Sequence, residues 1–165
     1  MAPSLHCDCW IYFENPYFWS GFVACLVAQT LKLLLGALRK KCLDFTNLVT
    51  TGGMPSAHSA LVTSIFASFG MGLGWAHPLT VLSSTVATIT MFDAATVRRA
   101  AGQQARLLNK MMRRIVLERK FSFQPLKEML GHTRVEVFGG IGVGILAALL
   151  VMRIWVWMGW PNLTF

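Results

Sequence analysis

Charge is what this 165-residue chain has least of: Asp, Glu, Lys and Arg make up only 13% of it. An average soluble domain carries about 25%. So little charge could not cover a water-facing surface, which excludes an ordinary soluble globule. Acidic residues are scarcer still, seven in all. They form no dense cluster of the kind Mg²⁺ sites use, so no metal or cofactor is implied. Cysteine is sparse as well. Cys25 lies inside an apolar run and Cys42 just beyond it, while Cys7 and Cys9 stand beside His6. That last group could hold a metal, pair as a disulfide, or be free thiols, and no second pair of ligands stands elsewhere to favour the metal. No internal repeat and no low-complexity linker is present. The first apolar run is preceded by an acidic and aromatic stretch without Lys or Arg, so no cleavable signal peptide is expected. Asn162-Leu163-Thr164 fits a glycosylation acceptor but stands at the chain end and carries no argument.

What the chain has is long apolar runs. Hydrophobic residues make up 55% of it, and the mean hydropathy is +0.54. The runs 18–38, 59–76, 78–97 and 137–160 hold at most one charge each: Lys32, none, Asp93 and Arg153 in turn. Since about 20 apolar residues cross the hydrocarbon core, each is long enough to span. The expected fold is therefore all-α, a membrane bundle of about four transmembrane helices in one domain, 18–160, after an N-terminal segment, 1–17. Residues 98–118 predict an amphipathic helix besides, with Ala101, Ala105, Leu108, Met112 and Ile115 recurring at helical spacing among Arg and Lys. Such a helix could lie on an anionic leaflet. The stretch 119–126 reads as a loop, with the last helix beginning near Lys127.

A net charge of +8 is compatible with nucleic-acid binding, but its distribution argues otherwise. Arg39, Lys40 and Lys41 follow the first span, and nine Lys or Arg lie from Arg98 to Lys127. Residues 1–17, the link 76–78 and the tail 161–165 carry none. This asymmetry follows the positive-inside rule and predicts both termini outside, with both basic loops in the cytoplasm.

Ionisable groups in or beside the spans carry the functional information, because burying them is costly. They fall in four places: Lys32 with Arg39; Ser56 and His58; Asp93, Arg98 and Arg99; and Lys127, His132 and Glu136. The predicted topology brings all four to the cytoplasmic ends of their helices. Gly52-Gly53-Met54-Pro55-Ser56-Ala57-His58 reads as a glycine loop entering a helix N-terminus, where backbone N–H groups and the helix dipole favour an anion. An ordinary N-cap with His58 facing headgroups fits the same segment. His132 and Glu136, four apart, would share a helix face. The carboxylate would then fix the imidazole tautomer and leave the other ring nitrogen as nucleophile or base. An interfacial His with a Glu at the helix start is the alternative. Lys32, Arg98, Arg99 and Lys127 could neutralise a phosphate. Positive-inside anchoring accounts for Arg113, Arg114, Arg119 and Lys120, but not for Lys32, about two turns inside its span unless it snorkels.

Three blocks carry a family resemblance: residues 52–58, then Phe92-Asp93-Ala94-Ala95-Thr96-Val97-Arg98-Arg99-Ala100-Ala101-Gly102, then Leu130-Gly131-His132-Thr133-Arg134-Val135-Glu136-Val137-Phe138-Gly139-Gly140. In this order, from about residue 18 to 155, the chain resembles the divergent branch of the type 2 phosphatidic acid phosphatase superfamily. That branch includes the acid phosphatase/vanadium-dependent haloperoxidase-related membrane proteins. The wider superfamily uses K-x6-R-P, P-S-G-H and S-R-x5-H-x3-D signatures. The resemblance implies His132 as nucleophile, Glu136 orienting it and His58 as general acid. Lys32, Ser56 and the Gly53 amide would bind phosphate, joined by Arg39, Arg98, Arg99 and Lys127 and the neighbouring Asp93. The departures are specific. Lys40 stands in place of the Pro, and Leu126 in place of the third-signature Arg, one residue from Lys127. Glu136 replaces Asp, and about four spans replace about six. A homodimer could supply the missing helices, and Arg98 and Arg99 the missing cation.

The resemblance implies a membrane phosphatase acting on a lipid phosphate or diphosphate through a phosphohistidine. A non-catalytic lipid-phosphate binding or scaffold protein and a small phospholipid transporter remain as alternatives on the same residues.

Overall fold

A computed structural model describes residues 13–40, 53–119, 125–126 and 131–159. Among them the chain is all helical, with α1 (Pro16–Lys40), α2 (Ala57–Leu73), α3 (Pro78–Ala95), α4 (Val97–Arg119) and α5 (Arg134–Trp157). The His6, Cys7 and Cys9 group, Cys42, Gly52, Lys127 and the Asn162 acceptor lie outside the described residues, and the side chain of Arg39 is not described.

Three stretches are long and apolar enough to cross a membrane: Pro16–Leu38, Pro78–Ile115 and Arg134–Trp157. The middle one takes in α3 and most of α4, which a turn at Thr96 separates. The fourth apolar helix, α2, has 17 residues. At about 1.5 Å per residue it is roughly 26 Å long, near the short end of what spans a bilayer. The expected run 59–76 is thus cut back at Leu73, where Gly74 takes φ 96° and turns the chain toward α3. His77 then caps α3, its Nδ1 accepting from the Leu79 N–H at 3.2 Å, with Pro78 in the first turn.

The bundle is centred on α2, which packs against α1, α3 and α5, while α1 also packs against α5. Its core is made of small side chains: Ala24, Ala28, Ala60 and Ala147. The largest fully buried side chain is a threonine, Thr80. Large ones point outward, with Leu82 59%, Leu146 68% and Phe138 69% exposed. This inverts the arrangement of a soluble protein, because lipid is as apolar as Leu and the helices gain most by approaching one another closely. A Cβ added at Gly140 would lie 2.5 Å from the Ser56 carbonyl oxygen, and one at Gly144 the same distance from that of Ala60. Between α1 and α2, the Ser64 hydroxyl donates to the Ser20 carbonyl at 2.8 Å, and the two hydroxyls are 2.6 Å apart.

One expectation needs correction. The last helix starts at Arg134 rather than near Lys127, because Gly131 takes φ 88° and Thr133 is the N-cap. The predicted amphipathic helix is present as α4, with Gly102, Ala105 and Asn109 as its protein-facing stripe. Of the apolar series that predicted the helix only Ala105 is buried; Ala101, Leu108, Met112 and Ile115 are exposed. The reason is local. Asn109 folds inward to bind the backbone of Leu126, accepting from its N–H and donating to its carbonyl, both at 2.8 Å.

Candidate active site

Helix ends meet at one end of the bundle: the starts of α2 and α5, and the junction of α3 with α4. The Thr133 hydroxyl accepts from the Glu136 N–H at 3.3 Å, and the Glu136 carboxylate accepts from the Thr133 N–H at 3.2 Å. This capping box satisfies two donors of the first turn of α5. The same Glu136 Oε2 lies 3.0 Å from His132 Nδ1. An ionised carboxylate can only accept, so Nδ1 carries the proton in this contact, and in the neutral ring that tautomer leaves the lone pair on Nε2. The expected His132–Glu136 contact is present, but not across a helix face: His132 stands one residue before the cap. Its backbone N–H donates to the Ala94 carbonyl at 2.9 Å, fastening this segment to the end of α3. Buried to 6% exposure, His132 is held at backbone and ring.

Gly131 makes that placement possible. A Cβ there would collide with the backbone of Arg98 and Arg99, and φ 88° is a conformation that other residues resist. The Ser56 N–H donates to the Glu136 carbonyl at 3.0 Å, joining the starts of α2 and α5. Ser56 itself is fully buried as the N-cap of α2, its hydroxyl accepting from the Ser59 N–H at 3.3 Å and the Ser59 hydroxyl at 3.1 Å. The capping reading of Ser56 is therefore the one its contacts express.

His58, in the first turn of α2, is exposed, and its ring centroid lies 6.4 Å from that of His132, with the planes tilted by 55°. Between them is a cavity of about 20 Å³ lined by His58, Thr90, Asp93, Ala94, Arg98 and His132. That volume holds about one water molecule. Arg98 enters it with its Nε donating to Asp93 Oδ2 at 2.7 Å. The Asp93 carboxylate is thus paired with Arg98. His58 lies within electrostatic reach of Arg98, His132 and Lys32. Lys32 is buried to 9% exposure on α1, close enough to Glu136 for the two charges to interact. Its stem crosses Gly53, where φ is 108° and an added Cβ would lie 3.0 Å from Lys32 Cε.

The structure thereby brings together His58, His132, Glu136, Asp93 and Arg98, with Lys32, Gly53 and Ser56 packed behind them. Arg99 is exposed and lies beside Gly131 through its backbone, not on the cavity. Among the described residues, no three His, Cys, Asp or Glu side chains come together as a metal centre would need. Thr90, Ala94, Gly131 and Thr133 were not singled out by the sequence reading. Only Thr133 had a legible signal: Thr-x-x-Glu ahead of an apolar run is a capping-box signature.

Comparison with known proteins identifies the family. The family model described as "Divergent PAP2 family" matches residues 13–147, which include every element of the cavity. The chain is 38% identical over 143 residues to a Bacillus subtilis (strain 168) protein named "Uncharacterized membrane protein YuiD", covering 80% of this chain and 90% of the relative. No solved structure matches. With the family pattern spanning most of the chain and a relative similar over nearly its full length, this integral membrane protein belongs to the divergent PAP2 family.

Proposed function

We propose that the protein hydrolyses a lipid phosphate or diphosphate at the His58–His132 cavity. The observation that carries this reading is the His132 ring, locked by Glu136 on one nitrogen and facing a second histidine and an arginine across a small cavity. His132 Nε2 attacks phosphorus, the bond to the lipid oxygen breaks, and protonated His58 gives that oxygen its proton. Glu136 stabilises the imidazolium character that develops on His132. Arg98 and Lys32 balance the charge on the phosphoryl oxygens, in the manner of charge-assisted hydrogen bonds. Neutral His58 then takes a proton from water, whose oxygen attacks phosphorus. The P–N bond breaks, releasing inorganic phosphate and restoring His132.

The two histidines are suited to different parts in this scheme. His132 is buried and fixed, as a nucleophile needs to be. His58 is exposed, and can swing aside to admit a phosphoryl group larger than the one-water space between the rings. A second reading, a binding protein without turnover, draws on one observation: the position matching the third-signature Arg is Leu126, whose backbone is held by Asn109. Phosphate release from a panel of lipid phosphates, wild type against His132→Ala, separates the two. Release by wild type alone supports hydrolysis; binding of phosphate without release from any substrate leaves the binding protein.

The charge asymmetry along the chain supports a cytoplasmic site with both termini outside. A reporter fused after Phe165 is then expected to read as non-cytoplasmic, and Gln104→Cys to be labelled only from the cytoplasm. Labelling of that cysteine from outside would move the site to the other face.

A further inference from the structure

A second, larger space opens beside the catalytic cavity. It is a groove of about 500 Å³ between α2, α3 and α5, starting at Thr63, Met91 and Ile141 and ending at Met71, Leu149 and Trp75. Its near end adjoins the proposed site. Met91 follows Thr90, which lines the catalytic cavity; Thr63 is five residues along α2 from His58; and Ile141 is five along α5 from Glu136. Thr63 and Met91 meet at this junction, with Oγ1 and Sδ 4.0 Å apart. From there the groove follows the helix axes away from the site. Eight residues separate Thr63 from Met71 and Ile141 from Leu149, about 12 Å on either helix. Half the hydrocarbon thickness of a bilayer is about 15 Å. At the far end Trp75 folds back over Gly70, whose missing side chain leaves room for the indole, and meets Phe66 edge to face at 5.7 Å.

The chemistry of the lining selects the occupant. Apart from three hydroxyls and the indole N–H of Trp75 at its far end, it is hydrocarbon, thioether and aromatic ring, and each of those hydroxyls has a partner within the protein. Thr63 faces Met91, Ser84 donates to the Val81 carbonyl at 2.7 Å, and Thr88 donates to the Ser84 carbonyl at 2.8 Å. No hydroxyl hydrogen is left for a polar ligand. A helix from a second copy, 10–12 Å across, would need roughly twice this volume over the same 12 Å. We propose that the groove holds one hydrocarbon chain of the same amphiphile whose phosphate occupies the His58–His132 cavity. This rests on the phosphate reading above and adds a chain-binding subsite that requires an alkyl or isoprenoid tail running parallel to α2 and α5.

The test uses a non-hydrolysable long-chain alkyl phosphonate with a photoactivatable diazirine in mid-chain, applied to the full-length protein in lipid nanodiscs. The alcohol with the same chain and diazirine is the control. The phosphonate is expected to label residues 63–71, 84–91 and 141–149 at least tenfold more than the alcohol does. Ala87→Phe, which fills the groove, should remove that labelling, while the neighbouring lipid-facing Val86→Phe should not. If Ala87→Phe does not fold, Ile145→Trp on the exposed rim serves in its place. Vanadate, which has no chain, should stabilise wild type and the groove-filling variant alike. Equal labelling by the alcohol would make the groove part of the ordinary lipid boundary and overturn the proposal, as would labelling elsewhere or a cross-linked dimer. If vanadate binds but the phosphonate misses the groove, the chain subsite falls and the phosphate reading stands. If vanadate does not bind, the phosphate reading itself has failed.

Discussion

Along the α2–α5 seam two backbones approach through Gly140 and Gly144, whereas α4 packs mainly against α3 and turns Leu107, Met111 and Ile115 outward. The seam carries the capping box, the Ser56–Glu136 hydrogen bond and the fixed His132. The α3–α4 junction carries Arg98, which is half exposed and held by one carboxylate. Parts that must keep one geometry are built where packing over-determines them. The part that would meet an incoming anion on the proposed reading is built where it is exposed. The contrast also explains why small residues matter more than large ones here, since the seam depends on what its glycines lack.

The largest effect is expected from breaking the seam. Gly144→Leu would force a side chain into the α2 backbone, where even tolerated overpacking costs about 1–3 kcal/mol. Loss of folded protein is expected in a detergent thermal-melt assay, while Leu107→Ala on α4 should change the melt little. If the two behave alike, the seam is not the rigid half of the molecule.

Next come the histidines, both at the end of the seam, one buried and one exposed. Removing a general acid costs about 10² to 10⁴ in rate. His132→Ala is expected to be inactive on every substrate and to trap no labelled phosphate. His58→Ala should be nearly inactive on an alkyl phosphate but partly spared on an aryl phosphate, whose leaving group needs little protonation. Glu136→Gln should fall between them. Equal losses on both substrates for His58→Ala would remove the division of labour; full activity in both alanine variants would put the chemistry elsewhere.

A smaller effect is expected at the cations. Arg98→Ala should weaken stabilisation by vanadate by about 1–3 kcal/mol, as for a lost charge-assisted hydrogen bond. Arg114→Ala, in the exposed part of α4, should leave it unchanged. Equal losses at both positions would mean general membrane electrostatics rather than a site.

The smallest separable effect concerns Thr133. Its replacement by Ala removes one half of the capping box, worth about 1 kcal/mol. Stability should fall by that order while Glu136 still holds His132, so activity per folded molecule should change less than in Glu136→Gln. An equal loss of activity would show that the cap itself aligns the nucleophile.

How much of this was legible beforehand depends on the kind of signal. The apolar runs marked α1, α3 and α5 to within a few residues, because lipid sets both composition and length. The end of α2 was missed by three residues, since Gly74, Trp75 and Ala76 are as apolar as a span while the positive φ of Gly74 breaks the helix. The apolar series marked α4 as a helix but not its protein-facing stripe, because large apolar side chains need not point inward. In a membrane protein they also point to lipid, and the inward stripe here is Gly102, Ala105 and Asn109. The start of α5 was placed too early although Thr133-x-x-Glu136 signalled it.

By itself the sequence determined a membrane-embedded helical chain, its charge asymmetry, and the set of residues proposed to handle a phosphate. Those follow from composition, run length and residue chemistry, which act locally. Only the tertiary structure decided which of those residues meet. Asp93 turned out to hold Arg98, Ser56 to be a buried cap, and Arg99 to lie off the cavity. The seating of His132 depends on contacts remote in sequence, the Ala94 carbonyl and the space left by Gly131 against α4, and a pattern along one chain does not encode such distances.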